Sequence, residues 1–145
     1  MSYLRMFSIG SVVAVLLAGC STVSPRCDVP RASGNEGARI VVFRPSALVG
    51  MLYGTPLSID GCRVQNVGND SCAFYVLPPG NHKIAVEKRT AELGSGQVVE
   101  ATFEAGKTYY LHQSVSFVAG LSLVTEEAAL KEMPELAKVE QCDAP

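Results

Sequence analysis

The chain has no tryptophan and only two histidines among its 145 residues. It has no excess of either charge: 12 Lys plus Arg stand against 14 Asp plus Glu, a formal net charge of -2. The basic residues are scattered, which excludes the clustered electrostatic footprint of a nucleic-acid binder. No apolar run reaches the roughly 20 residues that a helix needs to cross a bilayer. No Gly-x-Ser-x-Gly elbow and no Cys-x-x-Cys pair occurs, which removes the usual sequence marks of a serine hydrolase and of a zinc site. Two histidines also leave little material for nucleophilic catalysis, which needs a base beside the nucleophile and a third group to orient it. We expect no catalytic residues, no metal and no cofactor. The length allows one domain and no second core.

The amino end carries an address. Arg5 precedes an uncharged run, Met6 to Gly19, that is rich in Val and Leu. A charged start, a short apolar stretch and small residues at its end describe an export signal rather than a span. At the junction, Leu17-Ala18-Gly19-Cys20 resembles the lipobox of bacterial lipoproteins. That resemblance implies a signal peptide over 1–19, cleavage before Cys20, diacylglycerol on its thiol, and palmitate as a further acyl chain on the same residue. Two or more acyl chains hold a protein on a membrane stably where one is marginal. Ser21, a non-acidic residue after Cys20, implies by the same resemblance sorting to the outer membrane, on the periplasmic side of a Gram-negative envelope.

Once Cys20 carries lipid, Cys27, Cys62, Cys72 and Cys142 remain. An even count outside the cytosol suggests two disulfides with three possible pairings. We expect Cys62 with Cys72, closing a local strand-turn-strand, and Cys27 with Cys142, tying chain ends that commonly lie close together. Free buried thiols are the alternative. Metal ligation by Cys62, Cys72 and His82 lacks the short spacings of zinc sites.

Residues 20–37 hold prolines, glycines and mixed charges without apolar period, as a lipidated tether would. A single domain is expected over 38–145. Arg39 to Arg44 is a β-branched run apolar on both faces, consistent with a central buried strand ended by Pro45. Asp60-Gly61 marks a two-residue hairpin between Pro56–Ile59 and Cys62–Val67. Gly68-Asn69-Asp70, Pro78-Pro79-Gly80, Gly94-Ser95-Gly96 and Ala105-Gly106-Lys107 punctuate the strands that follow. Six or seven short strands at this spacing predict an all-β antiparallel sandwich. Thr125 caps a short C-terminal helix, Glu126 and Glu127 suit its positive end, and Pro134 breaks or restarts it. Ala101 to Thr108 fits a loosened phosphate-loop pattern, but Phe103 and Glu104 fill the loop and a Tyr-rich strand follows it.

Arg44-Pro45-Ser46, Ile59-Asp60-Gly61, Pro79-Gly80 with His82, and Ala105 to Leu111 occur in the order found in an exported bacterial family, and the stretch from Ala38 to Leu130 resembles that family, domain of unknown function 2846. The resemblance implies a sandwich of the transthyretin or carboxypeptidase-regulatory kind and brings no activity. The candidate contact residues are Arg44 and Ser46 at a strand end, Tyr53 in an apolar loop, His82 beside a turn, and Tyr110 and His112 on one strand face. His82 has a structural alternative in satisfying turn carbonyls, as has Arg44 in an ion pair or a carbonyl-binding role. The apolar stretches Leu48 to Tyr53 and Phe117 to Val124 either pack on each other or form an interaction surface. The reading is a non-catalytic, lipid-anchored envelope module with a membrane contact and an envelope-protein or cell-wall partner. The alternatives are a small-molecule or glycan binder with a Tyr53, Tyr110 and His112 groove, or a component of a secretion assembly.

Overall fold

The computed structural model describes residues 24–87, 96–115 and 119–143. The signal segment, the lipobox with Cys20, the Gly94-Ser95 turn and Phe117 lie outside these residues. Among the described residues eight strands run in chain order: β1 Ala38–Arg44, β2 Thr55–Ile59, β3 Cys62–Val67, β4 Ser71–Leu77, β5 Gly80–Val86, β6 Gln97–Phe103, β7 Thr108–Val115 and β8 Ala119–Val124. Helix α1, Glu126–Glu132, and a 3₁₀ segment, Pro134–Gln141, follow.

The strands form two four-stranded sheets, ordered β4-β1-β7-β8 and β3-β2-β5-β6. They face one another across a shared core. Ile40, Val42, Ala73, Leu77 and Leu111 from the first sheet meet Leu57, Ile59, Val67, Ile84, Val86 and Phe103 from the second. Edge-on contact between the Phe103 and Tyr109 rings, 4.8 Å between centroids, joins the two faces. A second, smaller core lies on the far side of the first sheet, where Val41, Phe43 and Tyr110 pack under Ala129, Met133 and Leu136. The molecule therefore has three layers, sheet on sheet on helix. This explains why β1 is apolar on both faces: it is central, with one face in the sandwich and the other under α1 and the 3₁₀ segment.

The expected all-antiparallel arrangement needs one correction. β1 and β7 are parallel, with Arg39 opposite Thr108 and Phe43 opposite His112. Both strands start from the same end of the sheet, where Arg39 N donates to Lys107 O at 2.8 Å and Gly106 N to Gly37 O at 2.9 Å. Apolar alternation reports which face a residue takes and is blind to the direction of its neighbour. The stretch ahead of Thr125 also holds an eighth strand: β8 pairs with β7 from Tyr110–Val124 to Val115–Ala119, placing Leu121 in the core.

The disulfides correct the expected pairing outright. Cys27 is bonded to Cys62, and Cys72 to Cys142. β3 and β4 are consecutive in the chain but belong to different sheets. Cys62 begins β3 beside the Asp60-Gly61 hairpin, whereas Cys72 is the second residue of β4, beyond the turn at the other end of β3. A six-residue strand separates them by roughly 20 Å, against the 4.4–6.8 Å between Cα atoms that a bridge requires. Each cysteine is instead bonded to the chain segment covering its own sheet edge. Arg26 bridges to Arg63 beside β3, and Asp143 to Ala73 beside β4. These two segments blunt edges that would otherwise offer unpaired backbone groups. The residues read as tether are thus held to the domain from Pro25 onward, with Pro25 O accepting from Arg63 N and Ala32 N donating to Val76 O.

Turn chemistry follows the sequence. Asp60 and Gly61 both have positive φ, 52° and 80°, as the type I′ hairpin demands. Thr125 Oγ1 accepts from Ala128 N at 3.2 Å and caps α1, and Pro134 opens the 3₁₀ segment.

Candidate functional site

At the end of β1 the chain leaves the sheet, because Pro45 cannot continue the ladder, while β7 runs on to Val115. The two parallel strands diverge there. The gap is a cavity of about 210 Å³ whose lining includes Arg44, Ser46, His112, Gln113, Ser114 and Glu132. Above it stands the loop from Pro45 to Gly54.

Arg44 shares strand parity with Ile40 and Val42, so its side chain starts on the sandwich side, where it is 1% exposed. Its guanidinium serves the loop: Nη1 donates to Tyr53 O at 2.9 Å and Nη2 to Gly50 O at 2.7 Å. Tyr53 N donates to Gly50 O, and Ala47 N donates to Asn69 Oδ1 at 2.9 Å, tying the other foot of the loop to the β3–β4 turn. Gly50 is required at the centre. Its φ is +77°, and an added Cβ would stand 2.7 Å from Val115 Cγ1 and 3.0 Å from Arg44 Nη2. The backbone is thus drawn down onto a buried cation while the side chains are turned out. Leu48 is 87% and Leu52 89% exposed, with Val49, Met51 and Tyr53 also exposed. Of the second apolar stretch, the described part, Ala119–Val124, is β8 and is paired to β7; Phe117 lies outside the described residues.

His112 lies on the helix-facing side of β7. Its ring stacks on Phe43, 5.3 Å between centroids, and its Nε2 is 3.3 Å from Glu132 Oε2. Among the described residues no hydrogen bond joins His112 to Ser46 or Ser114. Gln113 points the other way, sharing parity with Leu111, and is wholly buried. Among the described residues neither its amide nitrogen nor its amide oxygen has a hydrogen-bond partner. An unpaired buried amide costs roughly 1–3 kcal/mol on mutational scales. The sequence held a signal for it: a polar residue on the apolar face defined by Tyr109, Leu111 and Val115.

The cavity therefore gathers Arg44, Ser46 and His112 and leaves out the other candidates. Tyr110 is buried in the second core, its hydroxyl 3.5 Å from Glu126 Oε1. Burial and the adjacent Glu126 charge raise its pKa. Tyr53 is on the loop, outside the lining. The expected groove of Tyr53, Tyr110 and His112 is not formed, since β7 carries Tyr110 under the helix layer, below the strand end that exposes His112.

His82 belongs to the opposite end of the sandwich. Its Nδ1 is 2.7 Å from Asp60 Oδ2 and its Nε2 2.7 Å from Pro78 O. A carboxylate and a carbonyl only accept, so it is the doubly protonated ring, donating from both nitrogens, that this geometry satisfies. Burial works against that charge; the Asp60 hydrogen bond, the Pro78 carbonyl and the Asp60 charge outweigh it, and the pKa is raised. Asp60 Oδ1 also accepts from Lys83 N at 2.8 Å. His82 thus clamps two turns together, which is the structural role weighed for it.

A smaller hollow of about 90 Å³ is lined by Cys27, Arg31 and Tyr75, among others. Burial pushes the Tyr75 phenol well above its ordinary pKa. Among the described residues no group of His, Cys, Asp and Glu could hold a metal ion.

Residues 34–126 match the family described as protein of unknown function (DUF2846). No curated protein matches the chain significantly.

Proposed function

As the chain belongs to the DUF2846 family, whose description states no activity, we propose from its own residues that it is a non-catalytic module of the bacterial envelope, anchored through lipid on Cys20. It faces the periplasm from the outer membrane and acts by contact. The observation that carries this reading is the loop Leu48–Tyr53, a set of exposed apolar side chains on a backbone fastened to the buried Arg44 guanidinium. Energy spent in burying an arginine to hold apolar groups in water is what a contact surface requires. The site chemistry supports the same reading, because His112 is engaged by Glu132 and Phe43 and His82 by two turns. The pair of four-stranded sheets supports kinship with transthyretin or carboxypeptidase-regulatory sandwiches and, with the anchor, a place in an envelope or secretion assembly.

Mass spectrometry of the protein extracted from native envelopes tests the anchor. Acylated Cys20 at the amino terminus is expected, and Cys20→Ser should release the protein from the membrane fraction. A bare thiol at Cys20 in a mature membrane-fraction protein would sink the reading. A second reading, a small polar ligand in the cavity, is favoured by the unpaired amide of Gln113.

A further inference from the structure

We propose that the loop Leu48–Tyr53 enters the acyl region of the same bilayer that holds Cys20, giving the domain a second, non-covalent membrane contact. The inference rests on the lipid-anchor reading for its reach and on the loop itself for its chemistry. No charged residue occurs between Arg44 and Asp60. The tip presents Leu48, Val49, Met51 and Leu52 to solvent, with the half-exposed Tyr53 at its base, and tyrosine favours the headgroup level.

Part of the loop backbone is satisfied from beneath, which lowers the cost of entering lipid. Inside hydrocarbon a peptide group without an internal partner is costly. Here Gly50 O accepts from Arg44 Nη2 and Tyr53 N, and Tyr53 O accepts from Arg44 Nη1. The two carbonyls are committed inward, at a guanidinium that stays beneath the loop. A protein interface of ordinary kind uses about one hydrogen bond per 100–200 Å² and a polar rim; this tip offers methyl and methylene groups.

Reach is sufficient. Ser24 N donates to Glu87 Oε1 at 3.1 Å, and Glu87 N donates to Pro56 O at 2.9 Å, two residues beyond Gly54. Cys20 is four residues before Ser24 and so within about 14 Å of it even at full extension. An anchor this short keeps the domain against the headgroups, with the root of the loop only a side chain and two hydrogen bonds from Ser24.

The chain has no tryptophan, so Leu52→Trp supplies a unique fluorophore at a site whose side chain is already in solvent. The mature lipoprotein carrying it is reconstituted into phosphatidylethanolamine/phosphatidylglycerol vesicles with brominated acyl chains. Val98→Trp, on the exposed part of β6, is the control. We expect blue-shifted emission and strong bromolipid quenching at position 52, neither at position 98, and loss of both when Leu48→Asp is added to Leu52→Trp. A protein that is acylated and floats with the vesicles, yet shows no quenching at position 52, overturns the loop proposal and leaves the anchor standing. If Cys20 proves unacylated, the anchor reading fails, and quenching on added vesicles still decides the loop: its presence supports insertion and its absence overturns it. A blue shift that needs envelope proteins and comes without bromolipid quenching assigns the loop to a protein partner and likewise overturns the proposal.

Discussion

Removal of the two disulfides one at a time offers the sharpest test of how this chain is tied together. The bridges close segments of different length, 35 residues for Cys27–Cys62 and 70 for Cys72–Cys142. In the chain-entropy treatment these loops contribute about 3.8 and about 4.4 kcal/mol respectively by restricting the unfolded ensemble. The second also holds the 3₁₀ segment, whose Leu136 is in the core beneath β1 and β7 and whose end is bonded to β4 through Asp143. Cys72→Ala with Cys142→Ala should therefore destabilise more than Cys27→Ala with Cys62→Ala, by more than the roughly 0.6 kcal/mol that loop length alone predicts. Urea denaturation with linear extrapolation reads the difference. Against a typical total of 5–15 kcal/mol, either loss is large. The pairing can be read directly, because trypsin places each cysteine in its own peptide: 27–31, 40–63 (Arg44 is shielded by Pro45), 64–83 and 139–145. Unreduced digests should contain 27–31 joined to 40–63 and 64–83 joined to 139–145. Finding 40–63 joined to 64–83, or a Cys72/Cys142 double variant as stable as the parent, would refute the assignment of these edges.

Three further outcomes follow from the same contacts. Arg44→Met removes two charge-assisted bonds to the loop carbonyls of Tyr53 and Gly50; a loss of roughly 2–4 kcal/mol in urea denaturation is expected, with faster proteolysis within the loop. The His82 pKa is raised above its unfolded value of 6.5, so its contribution is complete below pH 6.5 and declines as pH rises through the folded value. Urea midpoints should fall over that interval in the parent and stay flat in His82→Gln; a flat parent profile refutes the doubly donating ring. Gln113→Leu replaces an unpaired buried amide with an apolar group of similar size, and a gain of roughly 1–3 kcal/mol is expected in thermal unfolding; a loss would mean that the amide has a partner in solution.

Much of the fold was legible locally. Asp60-Gly61 announced its hairpin because only residues tolerant of positive φ fit there. Arg39 to Arg44 announced a central strand because both of its faces are apolar. The exposure of the loop Leu48–Tyr53 was one of two alternatives that the sequence left open, whereas the carbonyl-binding role weighed for Arg44 was also readable, from a cation placed at the end of an apolar run. The groove of Tyr53, Tyr110 and His112 was not, since its failure depends on a helix covering one of those tyrosines. Gln113 was half readable: its parity was apparent, but its lack of a partner is a property of neighbours drawn from distant strands.

Sequence by itself determined what depends on neighbours within a few residues: the β-rich pattern, the turns, the cap on α1 and an uncharged stretch from Pro45 to Ile59. Tertiary structure alone decided that β1 and β7 run parallel, that β3 and β4 part into different sheets, and hence which cysteines meet. The reason is physical. Local preferences act through steric and hydrogen-bonding contacts along the chain, whereas strand partners and sulfur pairs are selected by burial of the whole apolar surface at once. That global burial has many arrangements compatible with the same alternation.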